Sequence, residues 1–204
     1  MLRYLKGTQF LGLHFRPSSA LALEAFADAD WASCVDDRRS TSGNCVFLGG
    51  NLVSWSSRKQ RVVARSSTEV EYRALAQVTT DVLWLRSLLT ELRIPIVHCP
   101  IVWCDNIGAN SLSQNPVFHQ RTKHIDIDTH FIREKVLAGE IDTRYVPTKH
   151  QTADIFTKGF SRDRFRLLCS KLHLVNSPQF GLRGNVKHTA YANADMLDSA
   201  VPRH

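Results

Sequence analysis

The stretch "GNCVFLGGNLVSWS", Gly43 to Ser56, decides the fold class. Two short apolar runs, Gly43 to Leu48 and Leu52 to Ser56, flank "GGN", Gly49 to Asn51, and runs of this kind around a glycine-rich link predict a β-hairpin. Upstream, "EAFADADW", Glu24 to Trp31, alternates in polarity and reads as a further strand, so three strands with short connections form an antiparallel meander. Downstream, "SSTEVEYRALAQVTTDVLWLRSLLTEL" carries Leu75, Val78, Val82, Leu85, Leu89 and Leu92 at alternating steps of three and four, the apolar stripe of a long helix. Ser66 with Glu69 three residues on forms a capping box at its start, and Pro95 follows its end.

Beyond that helix, "PIVWC", Pro100 to Cys104, predicts a short buried strand, and "DNIGANSLSQN" a helix. "KHIDIDTHFIREKVLAGE", Lys123 to Glu140, predicts another helix stopped at Gly139, and "IDTRYVPT", Ile141 to Thr148, a fifth strand. "TADIFTKGFSRDRFRLLCSKL" supplies one or two closing helices. This order predicts an α/β fold with a mixed sheet: a meander first, then parallel strands reached by right-handed crossovers. After Asn176 the chain turns polar and aperiodic, which predicts a largely disordered tail.

The 204 residues suit one domain with a substantial core, and 43% hydrophobic and 22% charged residues suit a soluble globular chain. No apolar run approaches the ~20 residues that span a bilayer, and "MLRYLKGTQF" lacks a secretory h-region. Neither a membrane nor secretion is expected. Five cysteines without a CxxC pair argue against a disulfide framework or a zinc ribbon, and His119, His124 and His130 match no common zinc spacing. The net charge is +7, and Arg38, Arg39, Arg58, Lys59, Arg61 and Arg65 stand in a segment, Arg38 to Thr68, that contains no acid. Such a segment is either a solvated face or a surface for a phosphate backbone.

Four acids stand out against this frame. Side chains alternate along a strand, so Phe26, Asp28 and Asp30 share one face and Ala25, Ala27, Ala29 and Trp31 the other. Asp28 and Asp30 are about 6.8 Å apart along the strand, too far for both to bridge a tight metal pair, so one is expected inside a site and the other at its rim. Stepping back four residues from Leu75 along the helical stripe lands on Glu71, which therefore faces the sheet; Glu69, about 200° around the helix, has the capping role. Asp105 directly follows the fourth strand, where ligands of parallel sheets bind, and it equally suits a helix N-cap. Asp154, in "HQTADIF", reads by default as a solvated helix-start acid. Four converging carboxylates cannot all ionise without compensating cations, and hard oxygen ligands select Mg²⁺ or Mn²⁺. Beside a basic, acid-free flank, the matching chemistry is two-metal phosphodiester cleavage.

The strings "FADADWASCVDDRRSTSGNCVFLGGNLVSWSSRKQRVVARSSTEVEYRAL", "VWCDNIGANSL", "RTKHIDIDTHFIREKV" and "YVPTKHQTADIFTK" closely resemble the ribonuclease H domain at the C-terminal end of copia-type retrotransposon Pol polyproteins. "LRYLKGT" resembles the linker after the polymerase region, and "LRGNV", Leu182 to Val186, the end of such polyproteins. The resemblance implies an isolated fragment: residues 1–23 a linker from a polymerase-type region, 24–175 a ribonuclease H-like domain, and 176–204 a polar tail. It implies a ribonuclease H-like fold, a five-stranded mixed sheet of three antiparallel strands then two parallel ones, flanked by helices.

The resemblance further implies hydrolysis of the RNA strand of an RNA/DNA hybrid by carboxylates on two Mg²⁺ ions, with Mn²⁺ as a substitute. The family's catalytic and metal-binding acids fall on Asp28, Glu71, Asp105 and Asp154, with Asp30 a bystander. His150 stands where cellular ribonucleases H carry a loop histidine, but in a shorter loop, and is read as a surface residue. Arg58, Lys59, Arg61 and Arg65 are candidates for phosphate contacts and Asn106 for a groove contact, ordinary solvated surface being the other reading. The expected partners are an RNA/DNA hybrid and a reverse transcriptase polymerase domain, in an intracellular compartment, cytoplasmic or nuclear. A catalytically idle remnant, or a nucleic-acid-binding module of the same fold, is the competing expectation.

Overall fold

A computed structural model of the chain describes residues 2–108 and 126–176. The chain forms two compact units, Arg16–Phe160 and Met1–Phe15 with Ser161–His204. In chain order the described elements are α1 (Leu2–Thr8), β1 (Leu11–Leu13), β2 (Leu23–Asp30), β3 (Thr41–Leu48), β4 (Asn51–Lys59), α2 (Ser67–Glu91), β5 (Ile101–Cys104), α3 (Asp126–Leu137), β6 (Asp142–Tyr145), α4 (Arg162–Lys171) and β7 (Leu174–Asn176). Two 3₁₀ turns, Thr148–His150 and Ala153–Phe156, follow β6.

In the larger unit the sheet order is β4-β3-β2-β5-β6. β3 pairs antiparallel with β2 and with β4, whereas β5 pairs parallel with β2 and with β6. This is the mixed five-stranded sheet expected, with the meander in front. The hairpin turns on Gly49 and Gly50, at φ 57° and 78°, and Leu48 pairs with Asn51. A two-residue link with both φ values positive matches the right-handed twist of its strands, and glycine adopts it without a Cβ penalty.

The core forms where α2 crosses the sheet. Ala25, Ala27 and Ala29 of β2 are buried in one cluster with Val70, Leu75, Val78 and Val82 of α2. The three small side chains let the helix backbone approach the strand, and full burial of each larger aliphatic contributes about 1.5–3 kcal/mol. The predicted stripe overreaches at its end: Leu92 is 59% exposed, because α2 stops at Glu91 and Arg93 turns the chain at φ 58°. On the sheet's other face Phe26 meets Phe47 edge-on and stacks on Trp103, with the Arg144 guanidinium 5.9 Å from the Trp103 ring centre.

Several predicted boundaries shift for local reasons. The first strand ends at Asp30 rather than Trp31, since Ala32 adopts φ 52° and its N–H donates to the Ser40 hydroxyl. The fifth strand is only Asp142–Tyr145, matching the four residues of its partner β5, and Pro147 then leads into a 3₁₀ turn. α3 ends at Leu137, followed by Gly139 at φ 67° as the expected stop. The helix predicted from Asp105 to Asn115, the first residues of the helix from Lys123, His119, His124, "LRGNV" and the tail lie largely or wholly outside the described residues. His130 is exposed on α3.

In the smaller unit β1 pairs antiparallel with β7, and Leu168, Cys169 and Leu172 are buried. The segment expected to be a linker thus contains α1 and β1. Among the described residues no helix is long and apolar enough to cross a membrane.

The start of α2 differs from the capping box in one respect. The Ser66 hydroxyl accepts from the Glu69 N–H as expected, but the Glu69 carboxylate accepts from the Arg65 N–H at 2.8 Å and holds Arg73 at 2.6 Å. Glu69 is 6% exposed, so its oxygens have little water to fall back on. Glu69→Gln turns one acceptor into a donor facing a donor and is expected to destabilise by about 1–3 kcal/mol, read from the urea midpoint. An unchanged midpoint would remove the cap from the account of stability.

Candidate active site

The paired strands bring the acids together. Asp28 stands opposite Gly43 on β3, and the parallel ladder of β2 with β5 runs to Ala27 opposite Cys104. Asp105 therefore leaves the C-terminal end of β5 at the level of Asp28. Glu71 enters from the second turn of α2 on the buried stripe, 7% exposed. Asp154 comes from the 3₁₀ turn Ala153–Phe156 and is 2% exposed.

Carboxylate oxygens of Asp28, Asp105 and Asp154 lie within 4.8 Å of one another, and ligand atoms of Glu71, Cys104 and Asp105 do the same. Asp105 belongs to both groups, so all four expected acids converge around it. Asp30 belongs to neither group and sits half-buried at the end of β2.

The turn that delivers Asp154 is fastened by groups that sequence reading missed. Gln151, fully buried, donates from Nε2 to the Ala27 carbonyl at 2.8 Å and accepts from the Ala153 N–H at 3.2 Å. The Ser57 hydroxyl donates to the Phe156 carbonyl at 2.6 Å. Gly43 supplies the room, since a Cβ there would stand 2.7 Å from Thr157 Cγ2 and 2.8 Å from Phe156 Cβ. Gly43→Ala is expected to push the turn off β3 at a cost of about 1–3 kcal/mol. Thermal unfolding measures this, and a variant melting with the wild type would contradict the packing of the turn on β3.

Two more unpredicted side chains enter the cluster. The Thr157 hydroxyl donates to Asp28 Oδ2. The Lys158 ammonium stands 3.1 Å from Asp28 Oδ1 and 2.8 Å from Asp154 Oδ1. At the rim, the Thr148 hydroxyl donates to Asp105 Oδ2 at 3.1 Å.

Like charges in a dry place set the electrostatics. Burial, reinforced by Asp28 and Asp105, pushes the Glu71 carboxyl up to about 9, although Lys158 and the Ala29 N–H work the other way. Burial also raises Asp28, against Thr157 and Lys158. Burial works against the charge of Lys158, but its bond to Asp154 and the charge of Asp28 prevail and hold the ammonium above its ordinary range. Burial keeps the Cys104 thiol protonated, which leaves carboxylate oxygens as the donors of the site.

The donor set fits a hard divalent cation. Among the described residues Glu71 Oε2 is buried without a hydrogen-bond partner, and a buried carboxylate oxygen in that state lacks the compensation a cation would supply. An all-oxygen set of this size suits Mg²⁺ or Mn²⁺.

The predicted substrate contacts come from two places in the chain. Arg58 and Lys59 occupy the end of β4, Arg61 and Arg65 follow it, and all four are exposed. Lys59 is engaged by Cys34 Sγ at 3.0 Å and Asp37 Oδ2 at 3.3 Å. Asn106, half-buried, adjoins Asp105, and its N–H donates to Cys104 Sγ at 3.5 Å. His150 is exposed in the turn before Gln151.

Comparison with known proteins adds relatives to this geometry. Over 178 residues the chain is 47% identical to the retrovirus-related Pol polyprotein from transposon RE2 of Arabidopsis thaliana, covering 87% of this chain and 12% of that protein. It is 38% identical over 172 residues to the corresponding polyprotein from transposon TNT 1-94 of Nicotiana tabacum, covering 84% of this chain and 13% of that one. The chain thus spans about one eighth of the length of these curated relatives. Among solved structures it is similar to RNase H1 from Halobacterium salinarum, at 14% identity and a TM-score of 0.48 over 67% of this chain and 94% of that one. No family model matches the chain.

Proposed function

Because the chain belongs to the retrovirus-related Pol polyproteins of copia-type transposons, we propose that it is their ribonuclease H segment, a metal-dependent endonuclease for the RNA strand of RNA/DNA hybrids. The observation that carries the reading is the convergence of the buried Asp28, Glu71 and Asp154 on the half-buried Asp105, with a Glu71 oxygen that has no hydrogen-bond partner among the described residues. These four residues would hold two divalent cations, which when bound supply an activated water and stabilisation of the leaving oxygen.

The chain's own residues do the rest. The buried position of Asp28, with Thr157 fixing one oxygen, keeps its carboxylate in one orientation. Thr148 does the same for Asp105 at the open side, where a phosphodiester would enter. Arg58, Arg61 and Arg65 present exposed guanidinium groups to a phosphate backbone, with Lys59 beside them, and Asn106 offers a polar contact next to the acids. Selection for a hybrid rests on 2′-hydroxyls carried by one strand across a wide, shallow minor groove, a feature a protein reads without reading sequence. Binding of this kind is sequence-tolerant and weakens steeply with salt. A polymerase segment of the same polyprotein is the partner that would hold the hybrid.

The test is cleavage of a labelled RNA strand in a hybrid with Mg²⁺, with single-stranded RNA and duplex DNA as controls. Cleavage confined to the hybrid supports the reading. Folded protein that binds hybrid but cuts it with neither Mg²⁺ nor Mn²⁺ would replace the enzyme with a binding module.

A further inference from the structure

Lys158 brings a positive charge into the acid cluster that neither its expected ligands nor its expected substrate contacts explain. Its ammonium bridges Asp28 Oδ1 and Asp154 Oδ1 at 3.1 and 2.8 Å, while Thr157 takes the other oxygen of Asp28. Both oxygens of Asp28 and one of Asp154 are therefore already engaged. The lysine is also built into place: its N–H donates to the Asp154 carbonyl at 3.0 Å, so the turn that carries the acid also carries its counterion. Glu71 Oε2, by contrast, has no hydrogen-bond partner among the described residues, so one ammonium compensates only part of the four-acid cluster.

We propose that Lys158 is an internal counterion of the carboxylate cluster, standing in a cation position that a divalent ion takes over by displacing it. This rests on the reading of the cluster as a divalent-cation site. A lysine suits exchange better than an arginine would. Its charge is a compact point on a flexible four-carbon stem, and with the side chain 32% exposed the ammonium has a direct way out to water. Divalent binding then includes breaking two ion pairs, so Lys158 weakens metal affinity and supports the metal-free fold. A lysine that merely organised the ligands would do the opposite to affinity.

Calorimetric titration of the whole chain with Mn²⁺ separates the two. For Lys158→Gln the dissociation constant is expected to fall about tenfold, a size typical of groups bonded to metal ligands, and the melting temperature in chelator to drop below wild type. Lys158→Arg, which keeps the charge, is expected to bind Mn²⁺ no more tightly than wild type. A second measurement needs no variant: acylation of Lys158, followed by mass spectrometry, is expected to speed up several-fold on adding Mg²⁺ as the amine moves into water. Unchanged or weaker metal binding by Lys158→Gln, or Lys158 acylation indifferent to Mg²⁺ in protein that binds it, would overturn the counterion alone. Failure of both wild type and Lys158→Gln to bind Mn²⁺ would overturn the metal site with it.

Discussion

Asp28→Asn is expected to reduce Mg²⁺-dependent cleavage of hybrid RNA by more than about 100-fold, beyond the ~10–100-fold that loss of an outer partner of a metal site brings. Asp28 is the most deeply buried of the four ligand candidates: fully buried, opposite the glycine that admits the Asp154 turn, and within 4.8 Å of Asp105 and Asp154 through its oxygens. Asparagine keeps the shape and still accepts from Thr157, so the variant is expected to fold. It removes the charge, and with it one of the two anchors of Lys158. Because burial already raises the Asp28 carboxyl, the neutral replacement is expected to melt no lower than wild type in chelator. Asp30→Asn is the control, since Asp30 lies outside both carboxylate groups, and its cleavage rate is expected to stay close to wild type. Equal activity of Asp28→Asn and wild type would remove Asp28 from the site.

Glu71→Gln is expected to abolish cleavage to a similar degree and, in chelator, to change how stability depends on pH. The Glu71 carboxyl is raised to about 9 in the folded chain, against about 4.3 in an unfolded one. Between those values the folded protein keeps a proton that the unfolded chain releases. The resulting stability is full below the unfolded value and is lost as pH rises toward about 9, by at most about 1.4 kcal/mol per pH unit. Glutamine has no proton to lose, so Glu71→Gln is expected to have a flatter profile and to exceed wild type in urea midpoint at pH 8.5. Mg²⁺ is expected to restore wild type there and to do little for the variant. Parallel profiles for the two proteins would show that Glu71 does not titrate against its neighbours in this way.

Much of this arrangement is legible from local pattern. The glycine pair of the hairpin, the alternation in β2 and the three-four stripe of α2 each act over a few residues, through sterics and burial that composition already expresses. Glu71 is legible for the same reason: an acid on the apolar stripe, with capping assigned to Glu69, has no other way to point than into the sheet. Asp105 follows from its place at the end of a buried strand, though its N-cap alternative does not resolve locally. The stripe fails at Leu92 because the turn at Arg93 carries no residue type that marks it.

What the chain's pattern by itself determined is the order of elements, the sheet's mixed sense and the faces of Asp28 and Glu71. These depend on backbone geometry with periods of two and 3.6 residues. Only the tertiary structure decided that Asp154 is a buried member of the cluster, that Gln151, Thr157 and Gly43 hold its turn against β2 and β3, and that Lys158 closes onto Asp28. The Lys158–Asp28 contact spans 130 residues of chain and the Gln151–Ala27 bond 124. No periodicity reaches that far, because such contacts are fixed by where a short turn lands on a finished sheet rather than by the residues beside it.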